Sequence, residues 1–317
     1  MKGSYSMSTA NTAQTLRDMY EARWRAALAP RTGDIRRELA SEAAEYLGLS
    51  IEETLQRIEQ SATDFPDEWN RMVTDPSDPE QVVRFYNESR SELFEQIAWH
   101  ASEPIHHRSL VCADLVSTRN GREFLDYGSG IGSNALIFGL AGFRVTLADV
   151  ADPLRNFARW RLERRGIQVR TIDLKHETLE SSRYDVITCF DVLEHVPAPL
   201  DAVRRMRDAL HVGGAFFLYA PFGFDPIRPM HVVHDDPVSG RIRALGFALR
   251  PEWERAFPAH VWAPHAYERV ARPTAANFAY YVRDVWMRGQ VGNAIARALR
   301  LVRPHATSRP TARLGTG

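Results

Sequence analysis

A chain of 317 residues with 44% hydrophobic side chains is long and apolar enough to bury a sizeable core. Its 40 basic and 40 acidic residues cancel, which removes any general electrostatic case for nucleic-acid binding. No apolar stretch reaches the ~20 residues that a membrane span needs, and the two cysteines, Cys112 and Cys189, show neither a disulfide framework nor metal-ligand spacing. The expectation is a reduced, cytoplasmic protein.

Residues 1–118 show helical periodicity and no strand alternation. Leu16, Met19, Tyr20, Trp24 and Leu28 fall on one helical face. Ser50-Ile51-Glu52-Glu53 is a capping box, so a helix is predicted to start after Ser50. Asp78-Pro79 opens another, with proline at the first helical position. Its apolar residues (Val82, Phe85, Tyr86, Leu93, Phe94, Ile97 and Trp99) read as one continuous helix, and a further helix begins near Pro104.

Phe124-Leu125-Asp126-Tyr127-Gly128-Ser129-Gly130-Ile131-Gly132 reads as a strand entering a glycine turn that opens a helix. The amides of such a helix start offer donors to a polar ligand. The spacing is G-x-G-x-G rather than the dinucleotide fingerprint G-x-G-x-x-G, because Ser133 stands where the third glycine is due. Asp126 precedes the first glycine by two positions, where a carboxylate suits a cationic ligand rather than a pyrophosphate. Arg144 to Asp149 reads as a second strand. Asp149 ends it about twenty residues after the first glycine, where doubly wound folds place the acceptor for ribose hydroxyls. A helix over 153–165, strands over 168–173 and 184–190, an arginine-rich helix and a strand over 215–220 follow. Strands alternating with helices imply a parallel sheet covered on both faces.

The segments LDYGSGIG, LAD, FDVLEHVPAP and LHVGGAFFLYAP resemble the core of the class I S-adenosylmethionine-dependent methyltransferases, and Gly246-Phe247 extends the likeness. The resemblance implies an α/β, doubly wound, Rossmann-like seven-stranded sheet. It divides the chain into a helical cap (1–118) that helps bind the acceptor, a cofactor-binding core (119–272), and a C-terminal helix with a basic tail (273–317). By the same resemblance, Gly128, Ser129, Gly130 and Gly132 pass the methionine portion of the cofactor, and Asp126 holds its amino group. Asp149 takes the ribose hydroxyls, Val150 lies beside the adenine, Asp173 and Leu174 meet the adenine edge, and Asp191 faces the methionine end. For the acceptor the cap offers Tyr86, Trp99, His106 and His107, whose alternative uses are core packing or a homodimer interface.

Methyl transfer starts from an excellent leaving group, so what remains for the protein is to position the partners and activate the acceptor. Asp191, Glu194 and His195 fall at i, i+3 and i+4 after the fourth strand, and His231 and His234 lie in the connection after the fifth. This pattern is similar to the divalent-metal site of ubiquinone-pathway O-methyltransferases and of plant small-RNA 2′-O-methyltransferases, with aspartate in place of the first glutamate. It leaves three readings open: a Mg-like ion on Asp191, Glu194, His195 and His234; general-base catalysis by His195, His231 or His234; and pure positioning of an acceptor that needs no base. The expected activity is methylation of a small molecule, at oxygen before nitrogen, in secondary metabolism or a sugar pathway. Its rivals are an RNA 2′-O-methyltransferase, an enzyme that cleaves or cyclises the cofactor, and a silent binding subunit.

Overall fold

The computed structural model describes residues 5–102, 107–223, 225, 227–232, 238–271, 275–280, 282 and 286. Its centre is a seven-stranded sheet in the order β3-β2-β1-β4-β5-β7-β6. The strands are β1 (Glu123–Tyr127), β2 (Arg144–Asp149), β3 (Val169–Asp173), β4 (Tyr184–Phe190), β5 (Leu210–Tyr219), β6 (Phe247–Leu249) and β7 (His265–Arg269). Neighbours from β3 to β5 run parallel, whereas β7 is antiparallel to both β5 and β6. The strand alternation did not foretell that reversal. The central strands read as unbroken apolar runs because both faces are covered; Leu125, Phe124, Ile187 and Phe216 are fully buried.

Among the described residues, six α-helices precede the sheet: α1 (Tyr5–Leu28), α2 (Ile35–Leu47), α3 (Ile51–Met72), α4 (Pro79–Glu88), α5 (Glu92–Ser102) and α6 (Arg108–Val116). The caps read from sequence are present. Ser50 accepts from the Glu53 amide at 3.0 Å, and Asp78 accepts from the Glu80 amide at 2.9 Å. On α1, Tyr20, Trp24 and Leu28 are buried, but Leu16 and Met19 stay about 40% exposed, so the buried stripe is shorter than its periodicity suggested.

The single helix expected from Pro79 onward is two, broken at Ser89-Arg90-Ser91. Glu68 on α3 causes the break to hold. Its Oε2 accepts from the Ser89 and Ser91 hydroxyls, both at 2.7 Å, and from the Arg90 and Ser91 amides at 3.1 and 3.3 Å. These bonds satisfy amides that a helix start would leave without partners. Replacing Glu68 with alanine is therefore expected to cost about 1–3 kcal/mol of stability, read as a lower midpoint in urea at unchanged slope.

The helices of the N-terminal part share hydrophobic clusters with the sheet layer. Leu39, Ile58, Phe94 and Ile97 pack with Ile131, Leu154 and Phe157, the last three belonging to the glycine loop and to α8 (Asp152–Glu163). Each such fully buried side chain contributes roughly 1.5–3 kcal/mol, an upper estimate because unfolded chains also bury area. Below this cluster lies a wholly buried ion pair. Arg161 on α8 donates through Nε to Glu42 on α2 at 2.7 Å, and Arg165 reaches the other oxygen of Glu42. The remaining α-helices among the described residues are α7 (Ser133–Leu140), α9 (Pro199–Ala209), α10 (Val238–Ala244), α11 (Pro251–Glu254) and α12 (Ala275–Tyr280). No helix among the described residues is long and apolar enough to cross a membrane. The basic stretch after Arg288 lies outside the described residues.

Candidate active site

A cavity of about 670 Å³ opens at the carboxyl ends of β1, β2 and β4, roofed by α3, α4 and α5. Open α/β sheets bind ligands where the strand order reverses, here between β1 and β4. One part of its wall is the loop from Gly128 to Gly130 with Asp149, Val150 and Leu174; another is Tyr86, Glu95, Trp99, Glu194, His195 and His231.

The loop has three glycines with positive φ (+73°, +48° and +76° at Gly128, Gly130 and Gly132), a region that β-carbons disfavour. Its five amides are already spoken for. Gly128 and Ser129 donate to the Ala148 carbonyl, Gly130 to Asp149 Oδ2, Ile131 to Gln96 Oε1, and Gly132 to the Ser129 carbonyl. A loop that cradles a pyrophosphate must turn such donors toward the ligand. This one presents backbone surface without free donors, which suits a ligand whose reacting end is cationic. Gly132 does not reach the cavity; a β-carbon there would come within 2.9 Å of Ala158, so its glycine serves the packing of α7 on α8.

Asp149 is 8% exposed and on the wall, where its Oδ1 also accepts from the Ala151 amide at 2.9 Å. Each carboxylate oxygen keeps acceptor capacity for a diol. Asp126 is corrected. It is 1% exposed, does not line the cavity, and accepts from Thr188 Oγ1 at 2.8 Å and the Ala135 amide at 3.2 Å. Burial pushes its carboxyl up to about 7 despite those donors, and its work is to fasten α7 across β1 and β4. Asn134, the second residue of α7, lines the cavity instead. Asp173 is also withdrawn from the wall: its Oδ1 accepts from the Lys175 amide at 3.0 Å and lies 3.3 Å from the Lys175 ammonium. Leu174 and Lys175 are the residues from that turn that line the cavity.

Asp191 holds a left-handed backbone (φ 54°) at the end of β4, a strained conformation of the kind concentrated at functional sites. Its carboxylate pairs with Arg108, the first residue of α6, which the sequence reading missed. Arg108 is 1% exposed, and its guanidinium lies 4.5 Å from the Phe190 ring centre and 4.8 Å from that of Tyr219. Its Nε and Nη1 have no partner among the described residues, although the side chain lines the cavity. A buried guanidinium with unsatisfied donors on a cavity wall has the chemistry to pair with a further carboxylate.

Glu194, His195 and His231 bring one ligand atom each to within 4.8 Å of one another. Glu194 and His195 sit on a 3-10 turn, Leu193–His195, rather than on an α-helix. The His195 Nδ1 faces the Met230 carbonyl at 3.2 Å, which places the proton on Nδ1 and leaves the Nε2 lone pair 4.0 Å from Glu194. Burial, then the neighbouring His231, lowers His195 to about 3, so the ring is neutral. Burial, then Asp191, raises Glu194 to about 8, and its Oε2 has no partner among the described residues. Of the four ligands expected from sequence, Glu194 and His195 are in this group among the described residues, together with His231, whereas Asp191 is paired with Arg108. His234 and His106 lie outside the described residues. Tyr86 and Trp99 line the cavity, with the Tyr86 ring 6.2 Å from that of His195. His107 does not; it is 2% exposed and packs edge-on against Trp24 and His260.

A profile of the methyltransferase domain family matches residues 104–278, more than half of the chain. The chain belongs to the class I S-adenosylmethionine-dependent methyltransferase family. It is 31% identical over 148 residues to a ubiquinone biosynthesis O-methyltransferase of Xanthomonas euvesicatoria, a match spanning 42% of this chain and 61% of that protein. The namesake from Bordetella avium is 31% identical over 121 residues, 37% of this chain and 49% of that one. The chain thus spans less than two thirds of the length of these curated relatives. Among solved structures, 1,6-didemethyltoxoflavin-N1-methyltransferase of Burkholderia thailandensis, with 1,6-didemethyltoxoflavin and S-adenosylhomocysteine bound, aligns at 18% identity and TM-score 0.47 over 62% of this chain and 92% of its own.

Proposed function

We propose that this chain transfers the methyl group of S-adenosylmethionine to a hydroxyl of a small phenolic molecule. The observation that carries this reading is one cavity with two chemically different walls. A bulk-free loop with Asp149 stands along one, and Glu194, His195 and His231 stand along another. The cofactor's ribose would meet Asp149 and its adenine Val150 and Leu174. Its amino acid end is zwitterionic, and the Arg108–Asp191 pair offers a cation for its carboxylate and an anion for its ammonium. The acceptor oxygen attacks the methyl carbon in line, the carbon–sulfur bond breaks with its electrons passing to sulfur, and S-adenosylhomocysteine and a proton remain.

That proton decides how the cluster works. A phenol ionises near pH 10, and an imidazole brought down to about 3 by burial is a poor base for it. The same ring makes a good metal ligand, because ligation needs the neutral form and a fixed tautomer, which the Met230 carbonyl supplies. The unpartnered Oε2 of Glu194 completes a set of two imidazoles and one carboxylate. Such a set suits Mn, Fe, Co or Zn better than Mg. A divalent ion there would supply Lewis acidity that lowers the pKa of the acceptor hydroxyl. The names of the relatives favour a phenolic over a sugar hydroxyl.

The test is release of S-adenosylhomocysteine from a panel of phenols, catechols, sugars and amines, with and without a chelator. Turnover of a catechol that collapses on chelation and returns with Mn or Co supports both parts. Turnover indifferent to chelation removes the ion, and preference for amines removes the oxygen. Release of methylthioadenosine instead would mean cleavage of the cofactor.

A further inference from the structure

Ile131, between the second and third glycines of the loop, has its amide and its carbonyl held by side chains from outside the loop. Its amide donates to Gln96 Oε1 on α5 at 3.0 Å, and its carbonyl accepts from Arg161 Nη1 at 3.0 Å. Arg161 is in turn fixed by Glu42 of α2. The Gln96 amide group is oriented by its own nitrogen, which donates to Glu92 Oε1 at 3.4 Å. The contact is also steric: a β-carbon on Gly130 would come within 2.2 Å of Gln96 Oε1. The middle glycine is therefore matched to a helix that arrives from the opposite side of the site.

The same helix builds the acceptor wall. Glu95 and Trp99 line the cavity, and the Arg228 guanidinium lies 4.7 Å from the Trp99 ring centre. One short helix thus presents Gln96 to the cofactor loop and Trp99 to the acceptor.

Resting on the cofactor reading above, we propose that Gln96 is a positioning residue for the cofactor: it holds the Gly130–Ile131 peptide so that the loop has its cofactor-accepting shape before the ligand arrives. Without that acceptor, the Ile131 amide is left buried and unpaired, and the left-handed path through Gly130 loses its support. The acceptor-binding helix then also sets the affinity for the cofactor.

The experiment compares Gln96→Met, which keeps length but has no acceptor oxygen, with Gln96→Glu, which keeps the oxygen. The expected dissociation constant for S-adenosylhomocysteine, measured calorimetrically, rises about tenfold or more in Gln96→Met and recovers part of that in Gln96→Glu, which keeps the acceptor but loses the nitrogen that donates to Glu92. The unliganded melting temperature falls by a few degrees in Gln96→Met, the cost of one unpaired buried amide, and by less in Gln96→Glu. Equal affinity in the wild type and Gln96→Met overturns the proposal. A second measurement needs no variant: hydrogen exchange at the Ile131 amide. Protection already present without ligand is the expected result, and free exchange until S-adenosylhomocysteine binds overturns it. Failure of the wild type to bind S-adenosylhomocysteine would count against the cofactor reading, whereas failure confined to the variants counts against Gln96 alone.

Discussion

Asp149→Ala is expected to weaken S-adenosylhomocysteine binding by about two orders of magnitude, on the order of 3 kcal/mol. Two losses combine. The carboxylate would accept from the ribose hydroxyls, and charge-assisted bonds are worth about 1.5–3 kcal/mol each. It also accepts from the Gly130 amide at 2.8 Å and the Ala151 amide at 2.9 Å, so its removal frees two buried backbone donors and loosens the loop. Asp149→Asn keeps one acceptor oxygen for one of those amides and should lose only about tenfold. The graded order wild type, asparagine, alanine is the signature of a carboxylate with both duties. An unchanged dissociation constant in the alanine variant would mean that the ribose lies elsewhere.

The parts of this site that were legible in the sequence are those written in consecutive residues. The strand, the glycine spacing and the acidic residue closing β2 are local, and each follows from backbone geometry or from the period of apolar residues. Glu194 and His195 were legible for the same reason, being neighbours on one turn. What the sequence hid depends on partners far away in the chain. Asp126 looked like a ligand contact because it precedes the glycines, but Thr188, 62 residues on, draws its carboxylate into the interior. Arg108 reaches Asp191 across 83 residues, and Gln96 reaches Ile131 across 35. Neither belongs to a motif, and no composition or periodicity singles them out. The break between α4 and α5 was hidden in part: its apolar spacing continues through Ser89-Arg90-Ser91, where Glu68 from α3 holds the turn, although the Ser89 hydroxyl also caps the Glu92 amide locally. The reversal of β7 lies beyond the local signal too, since strand direction is a property of the connection rather than of the strand.

The second large effect is expected at Arg108, and it separates the amino acid end of the cofactor from the nucleoside end. Arg108→Met fills much of the same volume between Phe190 and Tyr219 but carries no donor. S-adenosylhomocysteine has a carboxylate for the guanidinium to meet; methylthioadenosine has the same nucleoside and no amino acid. A bidentate or paired guanidinium–carboxylate contact in a site this sheltered is worth several times a neutral hydrogen bond. The variant should therefore bind S-adenosylhomocysteine about a hundredfold more weakly, while methylthioadenosine affinity changes by less than about threefold. The difference between the two ligands cancels any general loosening of the cavity, which a single affinity cannot do. Asp191 complicates the variant in a useful direction. Losing its partner leaves a carboxylate beside the cavity, which the ligand ammonium would neutralise, so the measured loss is a lower bound on the contribution of Arg108. Equal losses for both ligands would assign Arg108 to the architecture of α6 and β4, and the carboxylate would need another receptor.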